Sequence, residues 1–176
     1  QDDILNTFEG LVKNLFKVCI GASLEKFNRI SYVDAMELYG SDKPDLRIPL
    51  ELIDVKDLLK NIEFKVFSGP ANDPLGRVSA LKVPKGGDLS RKQIDDYTKY
   101  VSNFGAKGLA WIKVNSLTKG VDGLQSPIVK FLGDDVTMSI MDRVKASDGD
   151  IVFFGADSYK VVSESLGRPN LLCMSW

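Results

Sequence analysis

Ser90 to Val114 reads SRKQIDDYTKYVSNFGAKGLAWIKV and contains two kinds of secondary-structure signal in one short stretch. Ser90 and Gln93 have the spacing of a capping box, which predicts the start of a helix. Apolar residues then recur at helical spacing at Ile94, Tyr97, Val101 and Phe104, and Gly105 is the predicted end of the helix. Gly108 to Val114 is then dense in aromatic and β-branched residues, which predicts a strand. A capped helix followed by a strong strand indicates an α+β domain.

The segments on either side of this stretch alternate between helical and strand-like patterns. Asp2 to Ile20 carries apolar residues at spacings of three and four, which predicts an amphipathic helix that Gly21 ends. Further helices are predicted at residues 31–40, 54–61, 134–145 and 158–166. Strands are predicted at residues 64–67, 78–83 and 150–156, loops at 68–76 and 115–125, and either state at 126–132. The sum is an α+β fold with a mixed or antiparallel sheet and helical flanks.

Composition and charge limit the classes of partner. The chain has 176 residues, enough for one sizeable domain, and its 23 Lys+Arg against 24 Asp+Glu give a net charge of -1. A protein that binds nucleic acid by itself usually has an excess of basic residues. Any RNA contact here must therefore be local or be shared with other parts of the parent protein. No apolar run approaches the roughly 18 residues of a membrane span. We expect neither a membrane nor DNA as a partner.

The residue types present also limit the chemistry. The absence of histidine excludes Ser-His-Asp and Cys-His catalysis and every histidine-ligated metal site. Cys19 and Cys173 fit reduced thiols of a cytosolic protein, with a disulfide as the alternative. Adjacent carboxylates do not share a helix face, so the pairs at residues 2–3, 95–96 and 134–135 fit surface charge. We expect no catalytic residue and no metal site in this chain.

Four stretches carry the strongest identifying signal. They are residues 27–47 (FNRISYVDAMELYGSDKPDLR), residues 79–83 (SALKV), residues 104–113 (FGAKGLAWIK), and residues 126–132 (SPIVKFL) with 148–157 (DGDIVFFGAD). In this unbroken order they resemble the bacterial aspartyl-tRNA synthetases, which are class II aminoacyl-tRNA synthetases. The resemblance extends from Gln1 to about Arg168 and is most specific at YGSDKPDLR, residues 39–47.

The resemblance implies a division of the chain into three parts. Residues 1–49 would be a flanking piece of the class II catalytic domain, and residues 50–157 would be the insertion domain that also occurs in the B subunit of the tRNA-dependent amidotransferase. Residues 158–176 would return toward the catalytic domain, although Pro169 to Trp176 (PNLLCMSW) departs from the family pattern. The three class II motifs would lie before Gln1 and after Trp176, so we expect this fragment to be inactive by itself.

The resemblance also implies what the parent protein does. It would activate aspartate with ATP and Mg²⁺, charge tRNA, form a homodimer, and reside in the cytoplasm or an organellar matrix. Two alternatives for the fragment stay open. It could be a separable module that contacts the tRNA acceptor stem or another protein without catalysis, or it could be an architectural spacer.

The loop that follows Gly40 supplies five polar candidates for facing substrate or tRNA. These are Ser41, Asp42, Lys43, Asp45 and Arg47. In the functional interpretation, Lys43 or Arg47 contacts phosphate and the aspartates orient these cations. In the structural interpretation, the loop is a polar hinge held by local hydrogen bonds. The residues alone favour the hinge, and only with the resemblance are the two interpretations equally supported.

Three other features are weaker candidates. Arg91 and Lys92 lie in the first turn of a helix, where the helix dipole disfavours cations, so they are candidates for an RNA-backbone contact against the alternative of solvated charge. Trp111 fits a core position better than a base-stacking platform. Residues 82–87 (KVPKGG) lack the full spacing of a P-loop and fit a turn between a hairpin and a helix better.

Overall fold

The computed structural model describes residues 1–167 and contains two compact units, the first formed by residues 1–31 and the second beginning at Tyr32. The first unit contains helix α1 (Asp2–Ile20), as the apolar spacing predicts. Gly21 ends the helix in the left-handed conformation at φ 70° and donates its N–H to the Lys17 carbonyl. Residues 22–31 run back along the helix, where Arg29 bonds the Asn6 side chain at 2.6 Å.

The apolar face of α1 lies in solvent. None of its residues is buried, and Ile4 and Phe8 are 63% and 61% exposed. Contiguous apolar surface of this kind marks an interaction site more often than a free surface. No helix in residues 1–167 is both long and apolar enough to span a membrane.

The second unit is built on a five-stranded antiparallel sheet. The strands are β1 (Leu52–Asp54), β2 (Gly76–Val83), β3 (Ala110–Val114), β4 (Leu124–Gln125) and β5 (Ile151–Ser158). Their spatial order is β1-β2-β5-β3-β4. The last strand in sequence is therefore the central one, and it pairs with β2 along its whole length, from Val83 opposite Ile151 to Gly76 opposite Ser158.

Helices cover both faces of this sheet. They are α2 (Tyr32–Tyr39), α3 (Lys65–Asn72), α4 (Arg91–Ser102), α5 (Val129–Leu132), α6 (Asp134–Arg143) and α7 (Tyr159–Leu166), with 3-10 turns at Lys56–Leu59, Gly86–Asp88 and Leu117–Gly123. Alternate residues of β5 enter different cores, as the twofold period of a strand requires. Phe154 packs with Phe67 of α3 on one face, and Phe153 packs with Tyr97 of α4 on the other. The α+β fold is confirmed.

The strand predicted at residues 64–67 is wrong. Phe64 is the N-cap of α3, and the helix continues into the loop predicted at residues 68–76 as far as Asn72. The alternation in FKVF is too short to separate a strand from a helix. Long-range packing decides the conformation, because Phe64 stacks on Phe131 at 4.8 Å and the buried Phe67 meets Phe154 edge to face at 5.9 Å.

Two other segments also differ from their predicted states, and the segment left open between strand and helix contains a helix. Residues 54–61, predicted as one helix, contain the end of β1 and a 3-10 turn. The loop predicted at 115–125 contains a 3-10 turn and β4, and the ambiguous segment 126–132 contains α5. The tail at residues 169–176 lies outside the described residues. The domain boundaries at 49/50 and 157/158 stay a prediction, since they concern the junctions with a parent protein.

Candidate functional site

Arg77 of β2 fixes the helix that leads into the candidate loop. The residue is 4% exposed, and its guanidinium donates to two carbonyls near the end of α2, those of Met36 at 3.1 Å and of Glu37. It also donates to the hydroxyls of Ser79 at 2.8 Å and Ser163 at 2.9 Å. Burial lowers the pKa of Arg77 from its ordinary value, but an arginine stays charged in proteins. One buried cation therefore joins α2, β2 and α7.

Gly40 ends α2 where the backbone packs closely against the end of α7. Its φ is 63°, a left-handed conformation that glycine adopts without a Cβ penalty. A Cβ atom at this position would lie 2.5 Å from the Ser163 carbonyl oxygen and 3.0 Å from Gly167 Cα. The ends of α2 and α7 therefore meet at Gly40, and the polar loop begins there.

Asp45 and Arg47 pair with each other inside the loop. The Arg47 side chain donates to Asp45 Oδ1 from Nε at 2.8 Å and to Oδ2 from Nη2 at 2.5 Å, and the Arg47 N–H donates to Oδ1 at 3.1 Å. These hydrogen bonds lower the pKa of Asp45 to about 2. The Arg47 side chain is 89% exposed, so the pair lies at the surface.

The other candidates of the loop are arranged differently. Ser41 Oγ accepts the Lys43 N–H at 3.1 Å and so shapes the turn. Asp42 and Lys43 are exposed, and the structure shows no hydrogen bond or ion pair of the Lys43 ammonium with any described residue. Within residues 1–167, Lys43 is therefore a loop cation whose charge a ligand could meet. The loop thus has the local hydrogen bonds of a hinge and also a cation that can contact an anion.

Tyr39 closes the base of the loop, a role that the sequence did not indicate. Its hydroxyl donates to Glu51 Oε1 at 3.3 Å, across the span of the loop. Burial, followed by the neighbouring Glu51 carboxylate, raises the pKa of Tyr39. The signal that could have found this pair is the position of an aromatic hydroxyl and an acid on either side of a turn-rich segment.

Arg91 and Lys92 lie on a different element, in the first turn of α4. Both are exposed, and the capping box predicted from Ser90 and Gln93 is present beside them. The capping box satisfies backbone amides of this turn, so it does not account for the presence of the two cations. Their RNA-backbone role stays a prediction.

Two weaker candidates have a structural explanation. In the turn at residues 82–87, Lys85 adopts a φ of 57° and donates its N–H to Asp150 Oδ1 at 3.0 Å, and the Gly87 N–H donates to the Gly149 carbonyl at 2.8 Å. These amides are taken by protein acceptors, which fits the interpretation as a turn between hairpin and helix. Trp111 is half-buried and packs against the core that contains Tyr97.

Metal ligands are absent from the part of the chain that the structure describes. Residues 1–167 contain no group of three or more Cys, Asp or Glu side chains that could hold a metal ion. Cys19 is an exposed free thiol, and Cys173 lies outside the described residues. We therefore assign no metal ligand within residues 1–167 and derive no step through ATP or Mg²⁺.

Comparison with known families agrees with the architecture of the second unit. The model of the GAD domain matches residues 67–166, more than half of the chain. The match begins in α3, includes Arg77 and the whole central strand β5, and ends at the last residue of α7. This domain occurs in class II aminoacyl-tRNA synthetases and in the B subunit of the tRNA-dependent amidotransferase. The chain belongs to the GAD domain family.

Proposed function

We propose that this chain is the middle of an aspartate–tRNA ligase that activates aspartate with ATP and Mg²⁺ and then charges tRNA. The observation that carries the proposal is the link between the loop at residues 39–47 and the GAD domain. Arg77, inside the matched region, bonds the last turn of α2, and Gly40 follows that turn directly. The GAD domain thereby positions the loop whose sequence resembles the aspartyl-tRNA synthetases.

The charges of the loop support a contact with an anion. Asp45 already holds the Arg47 guanidinium in a bidentate pair, which leaves less of that charge for a ligand. Lys43 is exposed on the same loop and has no such pair among the described residues. We therefore assign the anion contact to Lys43, with the substrate carboxylate or a phosphate as its partner.

The chain itself is proposed to be inactive, because it needs other parts of the parent. The ligands for Mg²⁺ are not grouped within residues 1–167, and the apolar face of α1 is exposed. We propose that this face packs on the remainder of the catalytic domain. We also propose that the parent is a homodimer of the cytoplasm or an organellar matrix.

The parent function is tested by ATP–pyrophosphate exchange with the parent protein. We expect exchange that depends on aspartate and falls at least tenfold in Lys43→Gln, because a charge-assisted contact with substrate is lost. The control is Lys60→Gln, another exposed lysine away from the loop, which should leave the rate unchanged. Exchange that depends on glutamate or asparagine instead of aspartate would contradict the proposal.

A second candidate function is a tRNA contact by the isolated chain, favoured by the two exposed cations in the first turn of α4. Net charge near zero predicts weak binding that fades as salt increases. The double variant Arg91→Gln, Lys92→Gln should weaken tRNA binding and lower the slope of log affinity against log salt by roughly 1 to 2. Lys99→Gln, in the last turn of the same helix, is the matched control.

Filter-binding titrations over a range of salt concentrations measure this contact. Tight, salt-resistant binding would contradict the prediction of a weak electrostatic contact. An unchanged slope in the double variant would remove Arg91 and Lys92 from the interface. The same chain should show no aspartate-dependent pyrophosphate exchange, and clear activity would overturn the proposal that it is inactive.

A further inference from the structure

The central strand β5 extends beyond one of its neighbours. The last pair of its ladder with β3 is Phe154 opposite Ala110. On the other side, β5 continues to pair with β2 as far as Ser158 opposite Gly76. Four residues at its end, 155–158, therefore have a strand on one side and, among the described residues, no strand on the other.

The register identifies the backbone groups that face this open side. The Val114 N–H donates to the Asp150 carbonyl at 2.9 Å, so alternate residues 150, 152 and 154 direct their backbone groups toward β3. Ala156 is the next residue of this series. Within residues 1–167, its N–H and carbonyl make no backbone bond outside the sheet. A short segment of unpaired strand edge is thus available for another strand.

A cleft of about 570 Å³ lies against this edge. It opens where residues 106–109 diverge from β5 before joining the ladder at Ala110. Apolar side chains from both faces of the sheet line it, including Phe64 just before α3, Phe67 of α3, and Val161 and Val162 of α7. Its volume falls in the range of roughly 300–1,000 Å³ that is typical of ligand sites.

The charged groups of the cleft favour an acidic occupant. Two exposed lysines, Lys65 and Lys107, line it against one carboxylate, that of Asp157, so the positive charges outnumber the negative one. An occupant must therefore offer backbone donors and acceptors to Ala156, apolar side chains to the two walls, and a negative charge to the lysines. An extended peptide meets all three requirements.

We propose that this cleft binds an extended segment of a partner protein, with alternating apolar residues and one acidic residue, as an added strand beside residues 155–158 of β5. The segment lies on the side of β5 where β3 no longer pairs with it, past the pair of Ala110 and Phe154. Its backbone bonds Ala156, its apolar side chains enter the space between α3 and α7, and its carboxylate meets Lys65 or Lys107. This interaction is independent of the proposed ligase function.

The test is a titration of the full chain with the acetylated and amidated hexapeptide VTVTVE, followed by amide NMR. We expect shifts centred on Ala156, Gly108 and Val161 and slower hydrogen exchange of the Ala156 amide. The same peptide with alternate backbone amides N-methylated should bind about tenfold more weakly, because it cannot form the ladder. This comparison changes the ligand alone, so it does not depend on the folding of a protein variant.

Charge is tested by Lys65→Glu and Lys107→Glu, each of which should weaken the acidic peptide several-fold, while Lys99→Glu on α4 should not. Equal binding of the N-methylated peptide, or the absence of shifts at residues 154–157, would overturn the proposal. A twelve-nucleotide uridine RNA serves as the competing ligand. If that RNA binds the same residues more tightly than the peptide, the cleft is a nucleic-acid site and the proposal is also overturned.

Discussion

At the residue scale, the Asp45 carboxylate responds to pH because it holds Arg47. The hydrogen bonds from Arg47 lower the pKa of Asp45 from its ordinary value of 3.8 to about 2. Since the pKa is lowered in the folded loop, the pair is fully present above pH 3.8 and is lost as pH falls through about 2. A pH titration of the Asp45 carboxyl carbon by NMR measures this shift. In Arg47→Gln the pKa should return toward 3.8, and an unchanged value would show that another group lowers it.

Also at the residue scale, Thr137 of α6 has a hydroxyl without a partner among the described residues. Its side chain is fully buried and its Oγ1 makes no hydrogen bond within residues 1–167. Replacing a buried unsatisfied hydroxyl removes a desolvation cost, so Thr137→Val should raise the free energy of unfolding by up to about 1 kcal/mol. Urea denaturation measures the change. Thr98→Val, which removes a hydroxyl bonded to the Ile94 carbonyl at 2.9 Å, should lower it and is the matched comparison.

At the element scale, Arg77 holds three elements together through one side chain. Arg77→Met would remove the guanidinium that donates to the Glu37 carbonyl and to two serine hydroxyls in a buried site, while the Met36 carbonyl would keep only the Gly40 N–H. We expect a loss of about 2–4 kcal/mol in the free energy of unfolding, measured by chemical denaturation. The control is Arg143→Met, whose partly exposed guanidinium pairs with Asp57 and should contribute about 1 kcal/mol or less. Equal losses in the two variants would contradict the role of Arg77.

Local sequence signals predicted some elements well and others poorly. The helix at Asp2–Ile20, the cap at Ser90 and the strand through Trp111 rest on periodicity and capping within a few residues, and the structure contains them. The strand prediction at residues 64–67 is wrong because the contacts with Phe131 and Phe154 come from distant parts of the chain. The loop after Gly40 was identifiable as a candidate site from its polar composition. Its dependence on Arg77 was not, because the two are separated by more than thirty residues and meet only through tertiary packing.

At the scale of the whole molecule, the second unit has cores of its own. Both hydrophobic clusters consist of residues after Tyr32, whereas α1 contributes no buried side chain. Deletion of residues 1–31 should therefore leave the thermal melting temperature of the remaining unit unchanged, as measured by near-ultraviolet circular dichroism. It should also reduce self-association in light scattering, because the exposed apolar face is removed. A broad, uncooperative melt would show that the second unit depends on the first.

The placement of β5 at the centre of the sheet has a consequence for synthesis on the ribosome. Its neighbours β2 and β3 precede it in the chain and do not pair with each other. Neither can complete its strand pairing before residues 151–158 are synthesised. Closing contacts over such long sequence separations is slow, because the loop entropy is lost before the pairing is gained. A nascent chain halted before residue 151 leaves the exit tunnel with two unpaired strand edges. Chaperone capture should therefore peak just before β5 emerges and fall once it has inserted between them.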